Sequence, residues 1–164
     1  LYDSMAAFYT ACGSFMGQNY GAGKRKRVKN SYLISLAYSF GIGLAGGICL
    51  VIFGRQFLGL FTNDAAVIDA GMKRLTIMGF SYGFSAFMDA SIAASRALGK
   101  SFVPTITVIL GSCVFRMIWV NTVFAYFRTI PSLYLLYIFS WGITATVEII
   151  YFIHVYKNTK IGIA

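Results

Sequence analysis

Three charged residues lie inside long apolar segments of this sequence. Asp89 is the single charged residue among the 21 between Arg74 and Arg96, and Arg116 and Glu148 lie in the two apolar segments that follow. At a rise of about 1.5 Å per residue, each is within roughly 8 Å of the midpoint of its segment. An ionisable residue at such a depth in a membrane is a functional-site hypothesis by default. Asp89 could exchange a proton or bind a sodium ion as a cavity opens to either side.

Each of these residues also has a purely structural interpretation. Arg116 could form an interhelical salt bridge or anchor backbone carbonyls, and Glu148 could pair with Arg116 or line a polar cavity. For Asp89 the coupling and packing interpretations both stay open. His154, the single histidine, is expected near the cytoplasmic end of its helix, and Asp3 in the outer half of the first helix.

Aromatic side chains are a second kind of candidate, because flat organic cations can stack on their rings. Most of the tyrosines and phenylalanines should instead face lipid or form the interfacial belt. The candidates for lining a substrate cavity are Tyr38, Phe84, Phe87, Tyr134 and Tyr137.

Three patterns resemble enzyme motifs but lack the context that the chemistry needs. The GxGxxG pattern at residues 41–46 lies inside an apolar segment, with no strand before it. The GxSxG pattern at residues 79–83 lies in a predicted helix, far from the single histidine. The P-loop-like run at residues 17–24 has Arg25 where Ser or Thr should hold magnesium. The three cysteines have no CxxC spacing. From these patterns together we expect no enzyme, no metal site and no organic cofactor.

The composition favours a membrane protein over a soluble one. The 164 residues are 58% hydrophobic and 12% charged, whereas a soluble domain has about 25% charged residues. The net charge of +9 would suggest nucleic acid as the partner of a soluble protein. In a membrane protein, basic cytoplasmic loops explain the same excess, so nucleic acid is not an expected partner and membrane lipid is.

The order of apolar segments predicts an all-α, polytopic membrane helix bundle, with about four full transmembrane helices plus the end of a fifth. The end of the fifth should run from Leu1 to about Gln18 and be broken by the glycines and asparagine that follow. Because the chain opens inside a predicted helix, we expect it to be a piece of a longer protein. A short surface helix is predicted at residues 65–74. The full spans are predicted at residues 31–54, 75–95, 101–127 and 129–156.

The loop charges predict the orientation of these spans. With alternating loops, one side receives nine basic residues: Lys24, Arg25, Lys26, Arg27, Lys29, Arg96, Lys100, Lys157 and Lys160. The other side receives four: Arg55, Lys73, Arg74 and Arg128. The side with nine should face the cytoplasm, which places the C-terminus there as well.

Two loop sequences and two tryptophan-containing runs resemble the multidrug and toxic compound extrusion (MATE) family. Gly17-Gln18-Asn19-Tyr20-Gly21-Ala22-Gly23-Lys24 is similar to a GQNYGAGK-like loop of that family. Arg96-Ala97-Leu98-Gly99-Lys100-Ser101, followed by Pro104, is similar to its RGLGKS…P loop, with Ala97 in place of the usual glycine. Arg116-Met117-Ile118-Trp119 and Ser140-Trp141 resemble late helices of bacterial members. The resemblance covers essentially the whole chain.

The resemblance implies twelve helices in two lobes, and residues 1–164 would form the end of helix eight through helix twelve of the C-terminal lobe. The implied function is a secondary antiporter in the bacterial inner membrane that exports small organic compounds, often cationic, in exchange for protons or sodium. The N-terminal lobe of the same protein would be a partner. Asp89 falls in the helix where many members carry an acidic coupling residue, although the register of that residue differs among subfamilies.

Two other functions stay open. A lipid-linked glycan flippase of the same superfamily would need a strongly cationic cavity, and Arg116 is the one deep cation in the sequence. A structural membrane subunit would transport nothing itself, and it would tolerate neutral replacement of Asp89. The candidate ion-coupling and cavity residues are Asp89, Glu148, Arg116, Tyr38 and Phe84.

Overall fold

The computed structural model describes residues 1–159, so Lys160, which was predicted to end the last span, lies outside the described residues. The all-α prediction is confirmed, because the described residues form helices and no strand. The helices are α1 (Tyr2–Gly21), α2 (Arg25–Gly59), α3 (Ala65–Ala97), α4 (Phe102–Phe127) and α5 (Ile130–Asn158).

Local sequence signals mark several helix boundaries. Asp64 caps α3, with its Oδ1 accepting from the Ala66 N–H at 2.8 Å. Pro104 lies in the first turn of α4, where a missing N–H breaks no helical hydrogen bond. Arg128 adopts a left-handed conformation, with φ of 47°, between α4 and α5, and Pro131 lies in the first turn of α5.

Two predicted boundaries were wrong. The run that begins at Gly17 breaks α1 only at Gly21, about three residues after the predicted end near Gln18. Asn19 is accommodated there because its side-chain amide donates to the Phe15 carbonyl at 2.8 Å within the same helix. The predicted surface helix at residues 65–74 is not separate, because α3 continues through it without a break.

Both glycine-lysine loops end a helix in the same way. Gly23 and Gly99 have φ of 69° and 75°, a left-handed conformation that glycine adopts without steric cost. In each loop the following lysine N–H donates to a carbonyl of the helix: Lys24 to Asn19 at 2.9 Å, and Lys100 to Ser95 at 3.1 Å. These motifs turn the chain sharply at the same end of the bundle.

Helix α3 lies at the centre of the bundle, in contact with α1, α2 and α5. A Cβ atom added to Gly47 would overlap the Gly79 carbonyl, so α2 and α3 touch through their backbones, as membrane helices with small residues do. Helices α1 and α3 run parallel, because a Cβ atom on Gly17 would lie 3.9 Å from the Ala97 carbonyl oxygen. Helix α4 packs mainly against α5 at the edge.

Three described helices are long and apolar enough to cross a membrane: α2, α4 and α5. Helix α3 has 33 residues but is not among them. Its buried positions are occupied by small and hydroxyl side chains, including Ser81, Ser85, Ser91 and Ser95. A helix enclosed by its neighbours needs less apolar surface than one that faces lipid. This explains why α3, which contains one of the four predicted spans, is less apolar than the other three.

Candidate functional site

The side chain of Asp89 lies between its own helix, α3, and α1. A Cβ atom on Gly13 would lie 3.8 Å from the Ala93 carbonyl oxygen, and the same offset between the parallel helices brings Tyr9 level with Asp89. The carboxylate is partly buried, and its Oδ2 atom is buried without a hydrogen-bond partner among the described residues. An unpaired acceptor in such a position is expensive unless it binds a proton or a cation.

Two tyrosines of α1 surround this carboxylate. Tyr2 is close enough for its hydroxyl to interact with Asp89, and Tyr9 lies near both. The two tyrosine rings have centroids 6.4 Å apart and are tilted by 58°. The sequence analysis missed both residues, although their spacing of seven places them on one helix face. Their proximity to Asp89 depends on the offset between α1 and α3, which has no signature in the sequence.

Arg116 is bound to α5 in a structural arrangement. Its Nε donates to the Ser140 hydroxyl at 3.2 Å, and its guanidinium carbon lies 4.6 Å from the centroid of the Tyr137 ring. The Ser140 hydroxyl in turn donates to the Gly111 carbonyl at 2.8 Å. Gly111 belongs to a π-helical turn of α4, and such turns leave a carbonyl that needs a partner. Arg116 and Ser140 thus join α4 to α5.

Glu148 does not pair with Arg116, contrary to one of the two interpretations above. It lies eight residues beyond Ser140, about 12 Å along α5 at a rise of about 1.5 Å per residue. The structure therefore does not bring the three intramembrane charges together. Depth alone suggested that they could meet, but Arg116 contacts α5 at a different level from Glu148.

Glu148 is instead enclosed between α5 and α3. Its relative exposure is 0% and neither carboxylate oxygen has a hydrogen-bond partner among the described residues. It follows Ala145, which shares a core cluster with Ile92. It precedes Phe152, which shares a second cluster with Leu98. Arg96, at the end of α3, is the charged side chain near enough to act on both Glu148 and Asp89.

The structure places Tyr38 and Phe84 in two separate grooves. Tyr38 is 58% exposed and stacks on Phe8 with centroids 5.7 Å apart, in a groove of about 330 Å³ between α1 and α2. Phe84 is 50% exposed and lines a groove of about 430 Å³ with residues of α5. Asp89 lines neither of these grooves. A substrate role for Tyr38 and Phe84 stays a prediction.

Basic residues gather at one end of the bundle. Arg25, at the start of α2, donates from Nη2 to the Tyr156 carbonyl at 2.9 Å. Its guanidinium carbon lies 4.9 Å from the centroid of the Tyr156 ring. The α3–α4 loop lies at the same end, because Lys100 and Tyr20 line one cavity with the end of α5. We call this the basic end, defined by Lys24–Lys29, Arg96, Lys100 and Lys157. Within residues 1–159 no cluster of three metal-ligating side chains occurs.

The fold and its buried carboxylates define a polytopic membrane protein built from apolar helices. A sequence model of the MatE family matches residues 2–127, and the chain belongs to that family. No curated protein sequence matches the chain.

A solved structure supports the same fold. It is described as the inward-facing conformation of a multidrug resistance MATE family transporter of the MOP superfamily. It superposes with a TM-score of 0.76 at 18% sequence identity, and the match covers 92% of this chain and 36% of that one. At this identity the match establishes the fold alone, and the chain spans about a third of the length of that transporter.

Proposed function

We propose that this chain forms most of the C-terminal lobe of a secondary active antiporter, from the end of helix eight to helix twelve. The antiporter would export small organic compounds, often cationic, in exchange for protons or sodium. Membership of the MatE family supports a transporter role. The N-terminal lobe of the same protein would supply the other wall of the substrate cavity.

The observation that carries this proposal is the environment of Asp89. Its carboxylate lies against α1 with one buried, unpaired oxygen and with the hydroxyl groups of Tyr2 and Tyr9 nearby. Such a group can take up a proton, or bind a cation with the phenol oxygens as further ligands. Release of that ion would restore the unpaired charge, so ion binding and helix packing are linked.

The basic end supports the proposed orientation. The α1–α2 loop, the α3–α4 loop and the end of α5 lie together there, and they carry eight of the nine basic residues assigned to the cytoplasmic side. The positive-inside rule then places this end in the cytoplasm. We propose a multi-pass protein of a bacterial inner membrane with its C-terminus on that side.

The test is dye efflux from cells that express the full-length protein, with proton and sodium gradients imposed separately. We expect Asp89→Asn to reduce efflux at least tenfold at normal membrane abundance, because an amide cannot exchange the ion. The gradient that drives the wild type would identify the ion. Asp69→Asn is the matched control, since Asp69 is an exposed carboxylate that pairs with Arg55 at the other end of α3.

Each contrary outcome points to a different function. Full efflux by Asp89→Asn would make Asp89 a packing residue. Absence of efflux by the wild type, for every cationic dye tried, would contradict the antiporter and favour the structural subunit or the lipid-linked glycan flippase. The flippase needs a cationic cavity, and Arg116 is already bound to Ser140 and Tyr137.

A further inference from the structure

Glu148 has no partner that could stabilise its charge. The side chain is fully buried, and both carboxylate oxygens lack hydrogen bonds among the described residues. A buried ionised carboxylate without a partner destabilises the fold, because nothing replaces the hydration that it has lost. Ser95, on the part of α3 that is level with Glu148, also has a buried hydroxyl without a partner.

The groups that face Glu148 from α3 do not neutralise it. Arg96 acts on Glu148 through space, but its side chain is exposed at the basic end and forms no ion pair within residues 1–159. Asp89, the other charged residue on this part of α3, lies on the side towards α1. Neither residue supplies a hydrogen bond to Glu148.

The groups that approach from α2 and α1 are already engaged. The Tyr32 hydroxyl lies 2.9 Å from the Ser91 hydroxyl, and its ring packs on Phe152 with centroids 4.3 Å apart. The Cys12 thiol belongs to the same core cluster and points to the Ser31 carbonyl at 3.5 Å. Glu148 therefore has no anion-binding partner on any helix packed against it, and binding a proton is the way to remove its charge.

A cavity at the basic end lies close to this region. It has a volume of about 490 Å³ and lies between the ends of α3 and α5. Tyr151 and Val155 line it from α5 and Leu98 from α3, so it begins about one helical turn from Glu148. His154 lines the same cavity and is exposed.

We propose that Glu148 is a second proton-binding site of this lobe, sealed between α3 and α5 and reached through the cavity at the basic end. The proton resides on the carboxylate while the two helices are packed together. When their ends separate, Glu148 releases the proton to water or to His154. The inference extends the proposed function and rests on it only for the part that this proton plays in transport.

Infrared difference spectroscopy of the full-length protein in lipid tests the site without transport. The spectrum at neutral pH should contain the C=O stretch of a protonated carboxylic acid that disappears at alkaline pH. The band should be absent in Glu148→Gln, shifted in Glu148→Asp and retained in Asp89→Asn. In deuterated buffer, His154→Ala should slow the isotope shift of the band several-fold, because the cavity loses its imidazole.

The outcomes separate this site from Asp89. Identical spectra for the wild type and Glu148→Gln would mean that Glu148 is ionised and would overturn the proposal. A Glu148 band that persists unchanged into strong alkali would make it a permanently neutral structural acid, and this too would overturn the proposal. Loss of efflux in Asp89→Asn leaves the Glu148 band where it is, so failure of the coupling proposal and failure of this one are distinguishable.

Discussion

The two carboxylates packed against α3 differ in what surrounds them. Asp89 lies on the α1 side, is partly exposed and has two phenol groups nearby. Glu148 reaches α3 from the α5 side, is fully buried and has no hydrogen-bond partner among the described residues. A partly exposed carboxylate with polar neighbours can exchange its ion while the helices stay packed. A sealed one can exchange only when they separate.

The difference follows from which helices meet on each side of α3. On the α1 side, glycines of α1 lie against the α3 backbone, and Tyr2 and Tyr9 follow the same interface towards the start of α1. On the α5 side, the clusters around Ile92 and Leu98 enclose Glu148 from above and below. The same central helix can therefore serve two exchange sites with different access.

The largest expected effect comes from displacing α3, the helix that both sides share, with Gly47→Ala. The new methyl group would overlap the Gly79 carbonyl, and the backbone of α3 cannot move aside as a flexible side chain could. Overpacking of a core typically costs about 1–3 kcal/mol, and a backbone contact should lie at the upper end. Thermal unfolding of the full-length protein should occur at a clearly lower temperature.

Gly41→Ala is the matched control for that change, since no atom lies within 4 Å of a Cβ built there. It should leave the unfolding temperature unchanged or raise it, because alanine favours the helix over glycine. Equal unfolding temperatures for the two variants would mean that the backbone contact between α2 and α3 does not hold the centre of the bundle.

A smaller change should affect the Glu148 side alone. Ser140→Ala removes the hydroxyl that accepts from Arg116 and donates to the Gly111 carbonyl. Hydrogen bonds between membrane helices contribute about 0.6 kcal/mol each on average, so the loss of two should lower the unfolding free energy by about 1 kcal/mol. The isotope shift of the Glu148 infrared band in deuterated buffer should become faster as α5 loosens.

Thr146→Ala serves as the control for that variant, because the Thr146 hydroxyl bonds only within α5, to the Gly142 carbonyl. Efflux coupled through Asp89 should be the same in both variants. A loss of coupling in Ser140→Ala equal to that in Asp89→Asn would mean that the two sides of α3 do not act separately.

Sequence reasoning identified what depends on neighbouring residues or on composition. The start of a helix at residue 65 and the all-α class follow from local chemistry and hydropathy, and both are present. The neighbours of Asp89 and Glu148 required more. Depth along a helix can be counted at a fixed rise per residue, but the direction a side chain faces depends on the offset and rotation of packed helices.

Arg116 illustrates that limit. Its depth suggested a partner in Glu148, whereas the π-helical turn at Gly111 turns it towards Ser140 and Tyr137. No pattern in the sequence predicted that turn. Tyr9 was missed for a related reason, since its proximity to Asp89 depends on the offset between two helices that are far apart in the chain.

The smallest expected effect is the sharpest test of the Asp89 side. Tyr9→Phe keeps the ring and removes the hydroxyl near Asp89. We expect the lost phenol oxygen to contribute to ion binding as much as an interhelical hydrogen bond, about 0.6 kcal/mol, so the apparent affinity for the coupling ion should fall about threefold. Efflux measured over a range of ion concentrations gives that affinity. Tyr126→Phe is the control, since Tyr126 is 83% exposed on α4. If both variants bind the ion like the wild type, the Tyr9 hydroxyl does not belong to the Asp89 site. Asp89 and Glu148 would then differ only in how deeply each carboxylate is buried.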